Sequence, residues 1–366
     1  MITAAPKTGC MRTMLKLFFI TKFKQLCHYN NNPMRFHSTS YIQPSSAKHS
    51  LIPILDLTNS YRFSTDRIEL AHEIDEICKN IGFFIITGHS ISEKIQDDMM
   101  KVSKQFFDLP LPLKKEISGS KDYPYGYNGL NDENLSRGYG KSSSSSLADI
   151  KESFSIGPYN EDPIRWPTKP ENMSTIWLQY YKECERLAQH LYNIFALALN
   201  LDLNWFDQKI DTHRSALRSL HYPSVSLPLI DNQFRSSVHT DYGSFTILKQ
   251  DSIGGLQVEN RLDGKWIDVP FVQNSFVINL GDLMSRWTND RWVSTPHRVI
   301  VPSQNSKDGF SVARQSIAYF SQINPNEIVT CIPTCCSVDK PVKYPPIKSW
   351  DLVMEKYLAS TGKKIK

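Results

Sequence analysis

The sequence predicts a mainly β fold, a double-sheet barrel with helices packed around it. Three observations predict it. From Ala216 onward, about eight short runs rich in β-branched and aromatic residues alternate with turns. Before them lies one long stretch, from about Asn172 to Leu199, with apolar residues at helical spacing. The composition, 40% hydrophobic and 22% charged over 366 residues, is that of a globular chain with a sizeable core. That length allows one large or two modest domains.

Taken in order, Leu51 to Leu57 reads as a first strand. Ser64-Thr65-Asp66 offers caps for a helix whose stripe is Ile68, Ala71, Ile74, Cys78 and Ile81, stopped by Gly82. Phe83 to Thr87 is a short buried strand. Ser92 caps a second helix carrying Ile95, Met99, Val102 and Phe106, closed by Pro110. His72 and His89 read as structural or solvated. Residues 119 to 148, with the run Ser142 to Ser146, read as loop; Tyr125, Tyr127 and Tyr139 within it are candidates either for substrate contact or for plain surface. Asp149 to Ile156 is a strand. The long helix carries Trp177, Tyr181, Cys184, Leu187, Leu191, Ile194 and Ala198, and it is long enough to brace one face of a sheet. The barrel strands are expected at 217–222, 237–239, 244–249, 255–258, 266–269, 275–280, 297–301 and 314–321, with a turn at Gly281-Asp282 and a closing helix from Trp350 to Leu358. No apolar run approaches 18 residues, so no transmembrane helix is expected.

Charge is unevenly spread. No acidic residue precedes Asp56, whereas seven basic ones do: Lys7, Arg12, Lys16, Lys22, Lys24, Arg35 and Lys48. Of 42 basic residues, 35 then remain against 37 acidic ones, so the net +5 of the whole chain becomes −2 for its body. A nearly neutral body argues against a nucleic-acid partner. The leader has the composition of a mitochondrial transit peptide; the alternatives are a tail on a cytoplasmic protein or a later start at Met34. The seven cysteines show no zinc-ribbon spacing, and Cys331, Cys335 and Cys336 read as free thiols.

The chemistry is concentrated in Val238-His239-Thr240-Asp241-Tyr242-Gly243-Ser244-Phe245-Thr246-Ile247-Leu248. Read as strand, it sets His239 and Asp241 on one side. An imidazole and a carboxylate are two thirds of the site that holds Fe(II) on one face and leaves the others open. His297, beside strand-like Val299-Ile300-Val301, is the candidate third ligand. Arg314 and Ser316 are a second i, i+2 pair, and a guanidinium with a hydroxyl is a natural clamp for a carboxylate.

In order along the chain, Ile52-Pro53-Ile54-Leu55-Asp56-Leu57, Gly82-Phe83-Phe84 with Gly88-His89, Phe106 to Pro110, His239-Thr240-Asp241, Gly254 to Val258, Asn279-Leu280-Gly281-Asp282, Trp287-Thr288-Asn289, His297-Arg298-Val299 and Arg314-Gln315-Ser316 resemble the isopenicillin N synthase-like family of Fe(II)- and 2-oxoglutarate-dependent oxygenases. The similarity covers roughly residues 51 to 358. It implies a distorted jelly roll (a double-stranded β-helix), with a leader over 1–50, the family's amino-terminal region over 51–170, a bracing helix and connection over 171–214, the jelly-roll core over 215–325 and a tail with a helix over 326–366. It implies iron on His239, Asp241 and His297, and the distal carboxylate of 2-oxoglutarate on Arg314, Ser316 and Tyr222. Family members often carry Asn where this chain has Leu220, so an auxiliary amide contact is expected to be missing. The implied protein is a monomeric oxidoreductase that uses O2 on a small-molecule substrate, releases succinate and CO2, and takes ascorbate as a reductant. Three rivals stay open: a relative that turns the Arg-x-Ser pair on a substrate carboxylate and needs no 2-oxoglutarate, a silent metal-binding barrel, and a zinc hydrolase.

Overall fold

The computed structural model describes residues 52–120, 125–130, 132, 134–135, 147–160, 163–229, 233–302, 306–307 and 309–361. The basic leader, Tyr139 and the run Ser142 to Ser146 lie outside the described residues. Two sheets face each other. The large one takes, in spatial order, β1 (Ile54–Asp56), β2 (Phe83–Thr87), β10 (Phe276–Leu280), β7 (Phe245–Gln250), β14 (Arg314–Ser321), β5 (Ala216–Tyr222), β4 (Glu152–Ile156) and β3 (Gly126–Asn128). The small one is β6 (Ser236–His239), β11 (His297–Val299), β8 (Leu256–Glu259) and β9 (Trp266–Asp268). Two short ladders complete the set, β12 (Ser306–Lys307) with β13 (Phe310–Ser311) and β15 (Ile328–Val329) with β16 (Ile347–Lys348). This is the jelly-roll architecture expected from the sequence.

Alternation along the strands creates two cores. Leu217, Ile317 and Tyr319 point outward to the helices, and Leu220, Tyr222 and Ala318 point inward between the sheets. The outer core is braced by α4 (Met173–Ala198), whose Trp177, Tyr181, Cys184, Leu187 and Leu191 are all buried. Against it pack α1 (Ser64–Asn80) and α2 (Glu93–Phe107), before the one-turn helix α3 (Leu111–Lys115). Burial of each large apolar side chain stabilises the fold by about 1.5–3 kcal/mol. Ser92 caps α2 as expected, its hydroxyl accepting from the amide of Ile95. His89 is buried, its ring bonded to Asn274 O and to the Ile91 amide, a structural role.

Four expectations need correction. Helix α1 has Phe63 at its N-cap and no side-chain cap, because Ser64, Thr65 and Asp66 already lie in its first turn. Ile68 stands 48% exposed, so its stripe is narrower than the spacing suggests. The stretch read as loop holds β3, paired with β4 through Gly126↔Ser155. Gly281-Asp282 is less a turn than the start of a helix, α6 (Asp282–Trp287), which follows α5 (Asp207–Ile210); α7 (Ser349–Thr361) closes the chain.

Helix α1 also positions the segment before β11. Asp75 accepts from Arg291 (2.8 Å) and from the Trp292 indole (2.8 Å), Cys78 O from the Val293 amide, and Ile81 O from the Thr295 hydroxyl. The end of α1 and its C-cap residue Ile81 thereby deliver His297 to its place.

Candidate active site

His239 ends β6 and His297 begins β11, directly opposite each other in the small sheet. Their ring centroids are 4.2 Å apart. Asp241 is not on the same strand as His239, contrary to the reading that set both on one side of a strand, although the separate strands expected at 237–239 and 244–249 do part here. The chain bends after His239 and crosses from the small sheet to β7 of the large one. The bend is pinned by backbone bonds from Gly281 N to Ser244 O (2.9 Å) and from Asp282 N to Asp241 O (2.8 Å). Glycine is required at 281, where a Cβ would lie 2.2 Å from Gly243 O. The crossing brings Asp241 Oδ1 to 3.7 Å from His297 Nε2. One ligand atom from each of the three residues lies within 4.8 Å of the others, and this is the one such group of three or more among the described residues. Cys331, Cys335 and Cys336 form none, and the described cysteines are free thiols.

The bonds around these groups leave one face open. His239 Nδ1 donates to Ser237 O (2.7 Å) and His297 Nδ1 to Thr295 O (3.1 Å), which leaves each Nε2 with its lone pair inward. Asp241 Oδ2 accepts from the Thr246 hydroxyl and from Asn279 Nδ2 (2.6 Å), and Oδ1 takes no hydrogen bond from the described residues. Burial, and next the neighbouring His297, hold His239 down to about 3, so its ring is neutral. Burial opposes the charge on Asp241, but the two imidazoles and the bonds from Thr246 and Asn279 outweigh it and keep the carboxyl below its ordinary range.

Behind His239 stands a buried ion pair. Lys151 Nζ lies 3.0 Å from Asp149 Oδ2, and Asp149 Oδ1 accepts from both the amide (2.9 Å) and the hydroxyl (2.6 Å) of Ser237. Asp149 thus holds the residue whose carbonyl orients His239.

The same cavity, about 210 Å³, contains Arg314, Ser316 and Tyr222. Arg314 faces Tyr222 across the β14/β5 pair, with its guanidinium 5.0 Å over the phenol ring. It donates to Gly254 O (2.9 Å), Gln250 Oε1 (3.3 Å) and the Ser316 hydroxyl (3.2 Å). Arg314 is 1% exposed and pairs with no carboxylate among the described residues. A second guanidinium, Arg235, is fully buried nearby. It donates to Val312 O while its Nε and Nη1 have no partner among the described residues. Burial, and next the charge of Arg314, push Arg235 down to about 10. Of the two, Arg314 lines the cavity, where a buried guanidinium without a carboxylate suits an anion. Leu220 lines the cavity and pairs with Ser316 across β5 and β14.

All six residues singled out in the sequence therefore meet in one cavity. Sequence reasoning missed Thr246, Asn279, Asp149, Lys151 and Arg235. Thr246 and Asn279 sit in stretches the motifs cover, yet nothing in their spacing shows that both reach one carboxylate oxygen. Of the loop tyrosines, Tyr125 lines the cavity, and Tyr127 is buried with its hydroxyl on Glu152.

Comparison with known proteins points the same way. Residues 52–178 match the family model described as non-haem dioxygenase in morphine synthesis N-terminal, and residues 214–323 match that of the 2OG-Fe(II) oxygenase superfamily. The chain is 35% identical to the 2-oxoglutarate-Fe(II) type oxidoreductase hxnY of Emericella nidulans, over 85% of this chain and 90% of the relative. It is 31% identical to a 2-oxoglutarate-Fe(II) type oxidoreductase of Aspergillus fumigatus, over 83% of this chain and 91% of that one. Among solved structures it is similar to a full-length Neurospora crassa protein crystallised in complex with alpha-KG and thymine, at 30% identity and a TM-score of 0.76, covering 85% of this chain and 98% of that chain.

Proposed function

We propose a reaction from one premise: this chain belongs to the 2OG-Fe(II) oxygenase superfamily. It is an oxidoreductase that uses Fe(II), 2-oxoglutarate and O2 on a small molecule. The reading proposed here is that His239, Asp241 and His297 hold the iron, and that Arg314, Ser316 and Tyr222 hold the distal carboxylate of 2-oxoglutarate. The reaction is oxidation of a small organic metabolite by hydroxylation, desaturation or ring closure, with release of succinate and CO2. The protein acts as a monomer with no nucleic-acid partner. The observation that carries this is the convergence of two imidazoles and one carboxylate in a cavity that also contains a buried guanidinium with no carboxylate partner among the described residues.

The residues present fit both groups. Two nitrogens and one carboxylate oxygen are the donor set that suits Fe(II) with open positions. When bound, iron would activate O2 and 2-oxoglutarate would give up two electrons on becoming succinate and CO2, so that O2 could oxidise the substrate. The chain's own work is placement. Ser237 O and Thr295 O fix the imidazole tautomers, and Thr246 with Asn279 turns the free oxygen of Asp241 inward. Arg314, braced by Gly254 O and Gln250, sets the register of the cosubstrate, and Phe83, Leu248 and Phe320 keep water from the reacting face. The names of the relatives favour this over the rival that needs no 2-oxoglutarate. The crystallised complex of the Neurospora crassa protein with thymine supports a small ring-bearing molecule as substrate.

The test is incubation of purified protein with Fe(II), ascorbate, 2-oxoglutarate and a metabolite extract. The expected result is succinate formed together with a product mass shifted by one oxygen or by loss of two hydrogens. Oxygen uptake that stays at background across the extract would sink the reading.

A further inference from the structure

We propose that the substrate carries an amide N–H beside its carbonyl, as a lactam does, on an apolar body, and that the side-chain amide of Gln322 pairs with that edge. This rests on the oxygenase reading above and adds the chemical class of the molecule oxidised.

The first ground is an unmet hydrogen bond. Gln322 lines the cavity and is 8% exposed, and its Oε1 is buried with no partner among the described residues. The backbone of the same residue is satisfied, its N–H donating to Ser215 Oγ (3.0 Å). A buried acceptor left without a donor is destabilising, and a molecule that brings a donor into the cavity removes that penalty. Arg214 and Arg218 also line the cavity, but both already have partners.

The second ground is place. Along β14 and one residue past its end, Arg314, Ser316, Ala318, Phe320 and Gln322 all line the cavity, as strand alternation requires. Phe320 is paired with Thr246, whose hydroxyl bonds Asp241. That pair marks the level of the metal ligands along the strand. Arg314 and Ser316 lie before it and Gln322 lies beyond it. The cosubstrate clamp and the Gln322 amide therefore flank the ligand cluster, and a molecule held by Gln322 does not compete with 2-oxoglutarate for Arg314.

The third ground is the seat of the amide. A Cβ on Gly243 would lie 2.5 Å from Gln322 Nε2 and 2.7 Å from its Oε1. Gly243 thus leaves room for the amide to lie against the bend that carries Asp241. A carboxamide has an acceptor oxygen beside a donor nitrogen. A lactam edge has a donor beside an acceptor, so the two amides pair through two hydrogen bonds, whereas a lactone edge leaves Oε1 unmet. Ala216 of β5, Phe320 of β14 and Trp350, Val353 and Met354 of α7 supply apolar walls for the rest of the molecule.

Two measurements on the full chain separate this inference from the reading beneath it. With Mn(II) in place of iron, 2-oxoglutarate is titrated first; failure to bind would overturn the oxygenase reading itself. Lactams and lactones of matched shape are then titrated into the Mn(II)–2-oxoglutarate protein: 2-quinolone against coumarin, and 2-pyridone against 2-pyrone. Each lactam is expected to bind at least about tenfold more tightly than its lactone. Gln322→Met, close in size but without the amide, is expected to bring that preference within about threefold while leaving 2-oxoglutarate affinity within about twofold. Gln322→Asn serves as the second variant should Gln322→Met fold poorly; it draws the amide back by one carbon and is expected to weaken the lactams in the same direction. Equal or tighter binding of the lactones would overturn the proposal. So would failure of both lactams to bind where 2-oxoglutarate binds, or a lactam preference that survives both substitutions.

Discussion

Two buried carboxylates among the described residues stand beside histidines, and they are built to opposite ends. Glu152 on β4 faces His221 across the sheet. Its Oε1 accepts from His221 Nδ1 (2.8 Å), and its Oε2 from Lys114 Nζ (2.7 Å) and the Tyr127 hydroxyl (2.7 Å). Burial works against its charge, yet the bonds from His221, Lys114 and Tyr127 prevail and hold it below the ordinary range. Asp241 is likewise buried and has the same kind of neighbour. Its support falls on one oxygen only, and both adjacent imidazoles direct their donor nitrogen to backbone carbonyls. The Glu152 cluster is closed, with both carboxylate oxygens used. The Asp241 cluster keeps three inward ligand atoms that no donor among the described residues satisfies. Buried polar groups left this way cost stability unless a ligand takes them up, so the open cluster is for binding and the closed one is for holding β3, β4, β5 and α3 together.

Substitutions can break this contrast. His239→Ala or Asp241→Ala should reduce succinate formation to background and remove bound iron, while His239→Ala leaves the thermal midpoint of the metal-free protein level. Glu152→Ala should do the reverse. It strands the buried Lys114 charge and should cost about 3–5 kcal/mol in denaturant unfolding, with the folded fraction still loading iron. If Glu152→Ala emptied the metal site at unchanged stability, the division between closed and open clusters would be wrong. Arg314→Ala should raise the 2-oxoglutarate concentration needed for half-maximal turnover by about 100-fold, with iron content unchanged. Asn279→Ala, which strips one bond from Asp241 Oδ2 and touches no ligand atom on the open face, should weaken iron binding by roughly 10–100-fold, read by chelator competition.

The smallest effect concerns histidines that belong to neither cluster. Burial, and next the positive charge of nearby Lys249, keeps His89 down at about 4; burial, and next Arg67, does the same for His190. Both rings are neutral in the fold and take a proton near 6.5 when unfolded. Above that pH they leave stability untouched. Between about 6.5 and 4 the unfolded chain binds protons that the folded chain refuses, so stability falls as pH drops, by on the order of 1–3 kcal/mol per ring. Urea unfolding at pH 7 and pH 5 should show the loss, and His190→Gln should shrink it. A loss that His190→Gln does not change would assign the acid sensitivity to other groups.

Much of the architecture was legible because strands and helices write their periods locally. The stripe of α4, the short strand Phe83–Thr87 and the cap at Ser92 could each be read from a handful of neighbouring residues. The bend between β6 and β7 showed only as a gap between the strands expected at 237–239 and 244–249, not as a crossing between sheets. His239-Thr240-Asp241 reads as continuous strand, and the crossing exists because Gly281 and Asp282, some forty positions on, bond back to Ser244 and Asp241. Strand β3 was hidden for a similar reason. Its residues look like loop, and the partner that makes them a strand is β4, whose Ser155 lies opposite Gly126.

Residue type and order alone determined which side chains carry chemistry here: two imidazoles and a carboxylate, then a guanidinium and a hydroxyl two apart. Those are properties of the covalent chain, and they survive any arrangement of it. Distance and satisfaction were decided only by the tertiary structure. That Thr246 and Asn279 meet on one oxygen and that Arg235 is buried beside Arg314 follow from pairings between residues that are mostly tens of positions apart. No local period encodes such pairings, because they are set by which faces of the two sheets must be covered at once.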